Sequence, residues 1–322
     1  MSALLSIDDL TVDFVRDGRI VSSALRGISL EMAAGEAVGV VGETGCGKTI
    51  TGLSIVRMLP AAARAGGRIL FEGADLLGMP EREMGGLRGR RISMVFQSPG
   101  TSFNPVFPIG VQLRQVAQRH LGLGRASAAR AVAETLREVE LPDPERTMGF
   151  YPHELSGGML QRAMIAMAIL CRPSLLIADE PTTALDVSIA EQILRLLRKL
   201  QREHGFGVFF ISHDLDLVGD FCDRVAVLYA GRVVETGPAT EVLAEPHHPY
   251  TRALLEALPR HAAPGEALPA VPGNVPTGLE DPVGCAFAGR CPLAVDTCRL
   301  QRPALETVAP GRSVACHRWD AA

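Results

Sequence analysis

Gly42-Glu43-Thr44-Gly45-Cys46-Gly47-Lys48-Thr49 fits the spacing G-x-x-x-x-G-K-[ST]. The chemistry of that spacing is phosphate binding: glycines let backbone N–H groups converge on phosphate oxygens, a lysine neutralises charge, and a hydroxyl reaches Mg²⁺. A second motif, Leu155-Ser156-Gly157-Gly158-Met159-Leu160-Gln161, lies more than a hundred residues downstream. Ser-Gly-Gly at a helix start is a further anion-binding site. A nucleotide already wrapped by its own glycine loop does not need one, so the pair of motifs implies two chains sharing each ATP.

Other residues supply the remaining parts of phosphoryl transfer, which is mostly positioning and charge stabilisation. Lys48 is placed for the β- and γ-phosphates, Thr49 for Mg²⁺, and the N–H groups of Gly45 and Gly47 for phosphate oxygens, with Ile50 continuing into the helix behind them. The apolar run Leu175 to Ala178 delivers Asp179 and Glu180 to the end of a buried strand. Asp179 suits Mg²⁺ through water, and Glu180 suits the general base for the attacking water; the alternative is an acidic pair capping the next helix. His213 follows the run Val208 to Ile211 and is placed to touch the γ-phosphate, against the alternative of a structural histidine. Gln97, after Ser93 to Phe96, would by itself be an ordinary surface glutamine.

These residues need a strand, a loop and a helix in the right order, and the pattern supplies them. Leu4 to Val12 and Ile28 to Met32 alternate apolar and polar, as half-buried antiparallel strands do. Ala37 to Val41 is a short apolar strand entering the glycine loop, with a helix from about Lys48. Residues 99–172 turn helical, with Ala126 to Glu138 and Gly158 to Cys171 the clearest segments. Ile193, Leu196, Leu197 and Leu200 recur at helical spacing before Gly205. Strand and helix alternation predicts a parallel α/β core, closed by a hairpin of Arg224 to Tyr229 and Arg232 to Glu235 through Ala230-Gly231. Pro246 to Tyr250 marks a boundary, giving an ATPase domain over 1–245 and a loop-rich tail over 246–322.

The chain has 322 residues, enough for about two domains. Its formal net charge of -4 gives no general basic field for nucleic acid. Arg88, Arg90 and Arg91 form the best basic cluster, which reads as a solvated face. No apolar run has the length of a signal peptide or a membrane span, so a cytosolic chain is expected. In that compartment structural disulfides are not expected. Four of the seven cysteines, Cys285, Cys291, Cys298 and Cys316, nevertheless crowd the tail as C-x₅-C-x₆-C-x₁₇-C. The spacing lacks the paired C-x₂-C arms common in zinc sites. Four thiolates suffice for a [4Fe-4S] cluster; zinc, reduced structural thiols and a mixed site with His317 stay open.

In this order the motifs resemble the nucleotide-binding subunit of an ABC transporter, over roughly Leu4 to Gly237. The resemblance implies a P-loop ABC ATPase fold: a RecA-like parallel-sheet core with an antiparallel β subdomain and a helical insertion. In its terms Gly42 to Thr49 resembles the Walker A loop, Gln97 the Q-loop residue, Leu155 to Gln161 the signature, Leu175 to Glu180 the Walker B strand, Ala184-Leu185-Asp186 the D-loop, and His213 the switch histidine. It implies that Gln97 joins Thr49 and Asp179 around Mg²⁺, that Ser156, Gly157 and Gly158 hold the γ-phosphate of a partner's ATP, and that Phe14 stacks on adenine. Phe14 as a strand residue packing the core is the alternative. Leu160 stands where such signatures often carry a basic or polar residue.

A narrower resemblance rests on Gln97-Ser98-Pro99-Gly100-Thr101-Ser102-Phe103-Asn104-Pro105, Pro181-Thr182-Thr183-Ala184-Leu185-Asp186-Val187, His248-Pro249-Tyr250-Thr251-Arg252-Ala253-Leu254-Leu255 and Gly284-Cys285-Ala286-Phe287-Ala288-Gly289-Arg290-Cys291-Pro292. It is similar to the D-type ATPase subunit of dipeptide and oligopeptide importers. That similarity implies a cluster-bearing tail, a second related ATPase chain as heterodimer partner, two membrane permeases and an extracytoplasmic peptide-binding protein, with the ATPase on the cytoplasmic face of the inner membrane. Nickel and glutathione importers share the pattern. A soluble ABC-type ATPase acting on nucleic acid is the remote alternative, since neither a second fused cassette nor a long coiled coil is present.

Overall fold

The computed structural model describes residues 3–183, 185–258, 271–276 and 281–321. Its strands in chain order are β1 (Leu5–Arg16), β2 (Arg19–Met32), β3 (Ala37–Val41), β4 (Ala63–Phe71), β5 (Ala74–Asp75) and β6 (Ile92–Val95). They continue with β7 (Leu175–Asp179), β8 (Gly207–Ser212), β9 (Arg224–Tyr229), β10 (Arg232–Pro238), β11 (Glu306–Ala309) and β12 (Arg312–Val314). The chain divides into two compact units, one of residues 33–36 and 78–209 and one of the described parts of 2–32, 37–77 and 210–322. It passes from the first to the second within β8.

The first unit holds the parallel pair β6 and β7, with Ile92 opposite Leu175 and Val95 opposite Ala178. All five residues of β7 are buried, the pattern of a strand covered on both faces. Three longer helices of the insertion, Ile109–Leu121, Arg125–Glu138 and Gly157–Ile169, belong to this unit. Ala128, Val132 and Leu136, four apart, give the second of them its buried face. The helix Val187–His204 starts where the Asp186 carboxylate accepts the Ile189 N–H at 3.0 Å. It stops at Gly205, whose φ of 71° is the left-handed cap the sequence led one to expect.

The second unit contains two sheets. One is antiparallel, in the order β2-β1-β4-β5. In it Leu5, Ile7, Leu10 and Val12 of β1 are fully buried. Both β1 and β2 run longer than their alternating segments, because they pair with each other as far as Arg16 opposite Arg19, and β4 pairs along β1 up to Phe14 opposite Ala63. The other run of strands, β11-β12-β10-β9-β3, joins β3 and β9 in parallel and the rest antiparallel. The hairpin of β9 and β10 forms as expected, with Ala230 and Gly231 both at positive φ.

The tail is more than loop. It contributes the helix Pro249–Glu256, and β12 pairs with β10, Val314 opposite Glu235. Glu235 is fully buried. Its carboxylate accepts the N–H groups of His247 and His248 at 2.8 and 3.0 Å and the Arg312 guanidinium at 3.2 Å. A buried carboxylate needs such partners, and these three draw the start of the tail and its last strand onto β10. His248 is held neutral by burial, its pKa lowered to about 3, and its Nδ1 accepts the Tyr250 N–H at 3.0 Å to cap the helix that follows. Among the described residues no helix is long and apolar enough to cross a membrane.

Candidate functional site

The glycine loop leaves β3 and enters the helix Lys48–Ile55. Its geometry explains the residue types. Gly42 has φ of 149°, and a Cβ there would lie 2.3 Å from the Leu228 carbonyl oxygen. Gly45, at φ 86°, has nothing within 4 Å of the place a Cβ would occupy, so its backbone is open on that side. Lys48 is buried, and its ammonium donates to the carbonyls of Gly42 and Glu43 at 2.7 and 3.1 Å. Thr44, Gly45 and Thr49 are exposed, and Ile50 is half-buried. Cys46 packs into the core with its thiol pKa raised by burial. The Glu43 carboxylate is gripped by Arg290. In the same unit Phe14 is half-buried on β1, opposite Ser22 of β2 and Ala63 of β4. His213 is exposed directly after β8, where Asp214 caps the helix Leu215–Phe221.

The other unit carries a carboxylate held in place. Asp179 ends β7 and is buried. Glu180 follows with φ of 45°, an uncommon backbone for a glutamate. Its Oε2 accepts from Gln97 Nε2 and from the Thr183 hydroxyl, each at 2.9 Å. The structure therefore brings Gln97 and Glu180 together across 83 positions of sequence. Thr183 is a site residue that sequence reasoning misses, its one signal being the run Pro181-Thr182-Thr183.

The Ser-Gly-Gly motif opens the helix Gly157–Ile169, with the Ser156 hydroxyl accepting the Met159 N–H at 3.4 Å. Ser156 and Gly157 are exposed, so the N–H end of this helix faces solvent. Gly158 is required by packing: a Cβ would lie 2.9 Å from Ile189 Cγ2. Leu160 is buried, which accounts for an apolar residue there. Leu185 and Asp186 lie beside this region, Leu185 Cδ2 standing 3.6 Å from a Cβ built on Gly157, while Ala184 lies outside the described residues.

The four tail cysteines line one small pocket with His248, Phe287 and His317. Burial raises the thiol pKa values of Cys285, Cys291 and Cys316, the last to about 11, and neighbouring cysteines push the same way. Among the described residues no three His, Cys, Asp or Glu groups are arranged to hold a metal ion. That lends no support to a metal at these cysteines, whether zinc or a [4Fe-4S] cluster.

Comparison with known proteins gives the same picture twice over. A family model described as ABC transporter matches residues 25–183, and one described as oligopeptide/dipeptide transporter, C-terminal region, matches residues 234–298. A probable peptide ABC transporter ATP-binding protein of Sinorhizobium fredii is 49% identical, over 98% of this chain and 95% of that one. The oligopeptide transport ATP-binding protein OppD of Salmonella typhimurium is 45% identical over 98% and 94%, and the dipeptide transport ATP-binding protein DppD of Escherichia coli 44% over 98% and 96%. Among solved structures, a dimeric post-hydrolysis ATP-binding cassette bound to ADP and Pi superposes with a TM-score of 0.64 at 26% identity, covering 73% of this chain and 98% of that one.

Proposed function

This chain belongs to the ABC transporter family, in the branch with an oligopeptide/dipeptide C-terminal region, and from that premise we propose how its residues drive transport. It is the ATP-binding and hydrolysing subunit of an importer for dipeptides or oligopeptides. Lys48 and the N–H groups of the loop from Gly42 to Thr49 bind the phosphates, and Phe14 packs on the base. Thr49, Asp179 and Gln97 supply the oxygens for Mg²⁺, which neutralises phosphate charge. Glu180, oriented by Gln97 and Thr183, accepts the proton of the attacking water, and His213 contacts the γ-phosphate. Each of these side chains is of the type its step requires, and the Glu180 constellation is the support that geometry adds to the sequence pattern.

The exposed N-terminus of the helix at Ser156 carries the two-chain reading. A helix start with free N–H groups is an anion site, and here it is offered outward, to the ATP of a second and related ATPase chain. Two permeases and an extracytoplasmic peptide-binding protein complete the importer, with this chain peripheral on the cytoplasmic face of the inner membrane. We therefore expect the chain alone to hydrolyse ATP slowly, and activity to rise cooperatively when the second ATPase chain and the permeases are added. Full cooperative turnover by a strictly monomeric preparation would defeat the shared-site reading.

The tail cysteines are proposed to hold a [4Fe-4S] cluster. Support comes from their lining one pocket and from four thiolates being the donor set such a cluster takes. When bound it cross-links the segments carrying Cys285, Cys291, Cys298 and Cys316. Thiols whose pKa is raised by burial must lose protons to become ligands, so assembly improves as pH rises. Protein purified anaerobically should carry about four irons per chain, and each Cys→Ser change should lower the iron content. Metal-free protein with an intact fold would reject the cluster.

A further inference from the structure

The second residue of the phosphate loop is held from the far end of the chain. Arg290 sits in the turn between Cys285 and Cys291 and forks onto Glu43, Nη1 donating to Oε2 at 2.7 Å and Nη2 to Oε1 at 2.9 Å. The arginine side chain is only 7% exposed. Its remaining donors reach the Pro272 and Val271 carbonyls at 2.6 and 3.1 Å and the Tyr229 hydroxyl at 3.2 Å. The guanidinium carbon lies 5.7 and 5.8 Å from the ring centroids of Tyr229 and Phe287. From the same tail, the Tyr250 hydroxyl accepts the Glu43 N–H at 2.8 Å. Both the backbone and the side chain of Glu43 are thereby fixed by residues beyond position 246.

We propose that Arg290 is a positioning residue for nucleotide binding: through Glu43, the C-terminal extension holds the phosphate loop in the conformation that receives ATP. A glycine-rich loop loses more conformational freedom on ordering than other segments. Tying one end of it in advance lowers what nucleotide binding must spend on that ordering. The grip is well suited to the purpose. A bidentate guanidinium–carboxylate fork fixes direction as well as distance, and lysine cannot reproduce it. Arg290 is itself fixed by its turn, in which the Ala288 N–H donates to the Cys285 carbonyl at 3.0 Å and the Arg290 N–H to the Phe287 carbonyl at 2.9 Å. Order in the cysteine-bearing tail is in this way converted into order at the phosphate loop.

The inference rests on the assignment of Gly42 to Thr49 as the ATP-binding loop. Its test is titration of the full-length chain with a fluorescent ATP analogue, for wild type, Arg290→Ala, Arg290→Lys, Glu43→Gln, Glu43→Ala and the Arg290→Ala/Glu43→Ala pair, each checked for folding by circular dichroism. Arg290→Ala and Glu43→Ala should each weaken binding about tenfold, within the roughly 5–150-fold usual for coupled sites. The double variant should be no worse than either single, because both remove one interaction. In the assembled transporter Arg290→Lys should raise the KM for ATP with kcat unchanged, the mark of lost uniform binding. Should Arg290→Ala fail to fold, Glu43→Gln, which leaves the tail intact, must still weaken binding. Folded variants that bind as wild type does, or effects that simply add in the double variant, would overturn the inference. A wild-type chain that binds no nucleotide would remove the loop assignment, and the inference with it.

Discussion

Glu180→Gln retains ATP binding and lowers steady-state hydrolysis by the assembled transporter about 10²-fold or more, the scale expected for loss of a general base. The substitution is chosen because it keeps size and acceptor. Glutamine's amide oxygen can still accept from Gln97 and Thr183, which meet the Glu180 Oε2 at 2.9 Å. What disappears is the basicity needed to take the proton of water. Thr183→Ala provides the contrast: it removes an orienting donor but not the base, so its loss of rate should be smaller. ATPase assays beside nucleotide-binding titrations separate the two effects. Near-wild-type turnover in Glu180→Gln would take the base role away from this residue.

Gly42→Ala destabilises the chain by about 2–5 kcal/mol and abolishes nucleotide binding. Two causes add. A left-handed backbone costs a residue with a Cβ about 1–2 kcal/mol, and Gly42 has φ of 149°. The new methyl would also lie 2.3 Å from the Leu228 carbonyl oxygen and 2.8 Å from Cys46 Sγ. Forcing atoms into such a packed site costs about 1–3 kcal/mol, and relief requires moving the loop away from β9. Gly45→Ala is the control, since a Cβ there meets nothing within 4 Å and only the backbone penalty at φ 86° remains. Urea unfolding and fluorescent-nucleotide titration of both variants decide the matter; equal stability of Gly42→Ala and wild type would show that the loop rearranges at little cost.

What was legible in the sequence was what short-range pattern determines. The glycine loop, the hairpin through Ala230-Gly231 and the helix ending at Gly205 all carry their own punctuation. β4 does not. Its run Ala-Arg-Ala-Gly-Gly-Arg shows no alternation, and it is a strand because β1 offers it partners from Leu5 to Phe14. β11 and β12 are likewise short and polar, and β12 owes its existence to β10. The same division runs through the site. Glu180 and His213 could be named because each follows a buried strand, and Gln97 only through the family resemblance, whereas Thr183 looked like turn composition and Arg290 like one letter of a cysteine-rich motif. The contact between Arg290 and Glu43 spans 247 positions, and nothing local announces it.

The pairing of β12 with β10 also sets a timetable. A ribosome adds about 5–20 residues per second, and roughly seventy residues separate the end of β10 from the start of β12. For several seconds after β9 and β10 have emerged, the outer edge of β10 has no neighbour and Glu235 has no guanidinium beside it. Unpaired edges of this kind invite strand addition from other chains. Nascent or prematurely terminated chains lacking Arg312 to Val314 would therefore be the aggregation-prone form of this protein, and expression vectors that shorten its C-terminus would be expected to produce inclusion bodies rather than a smaller working ATPase.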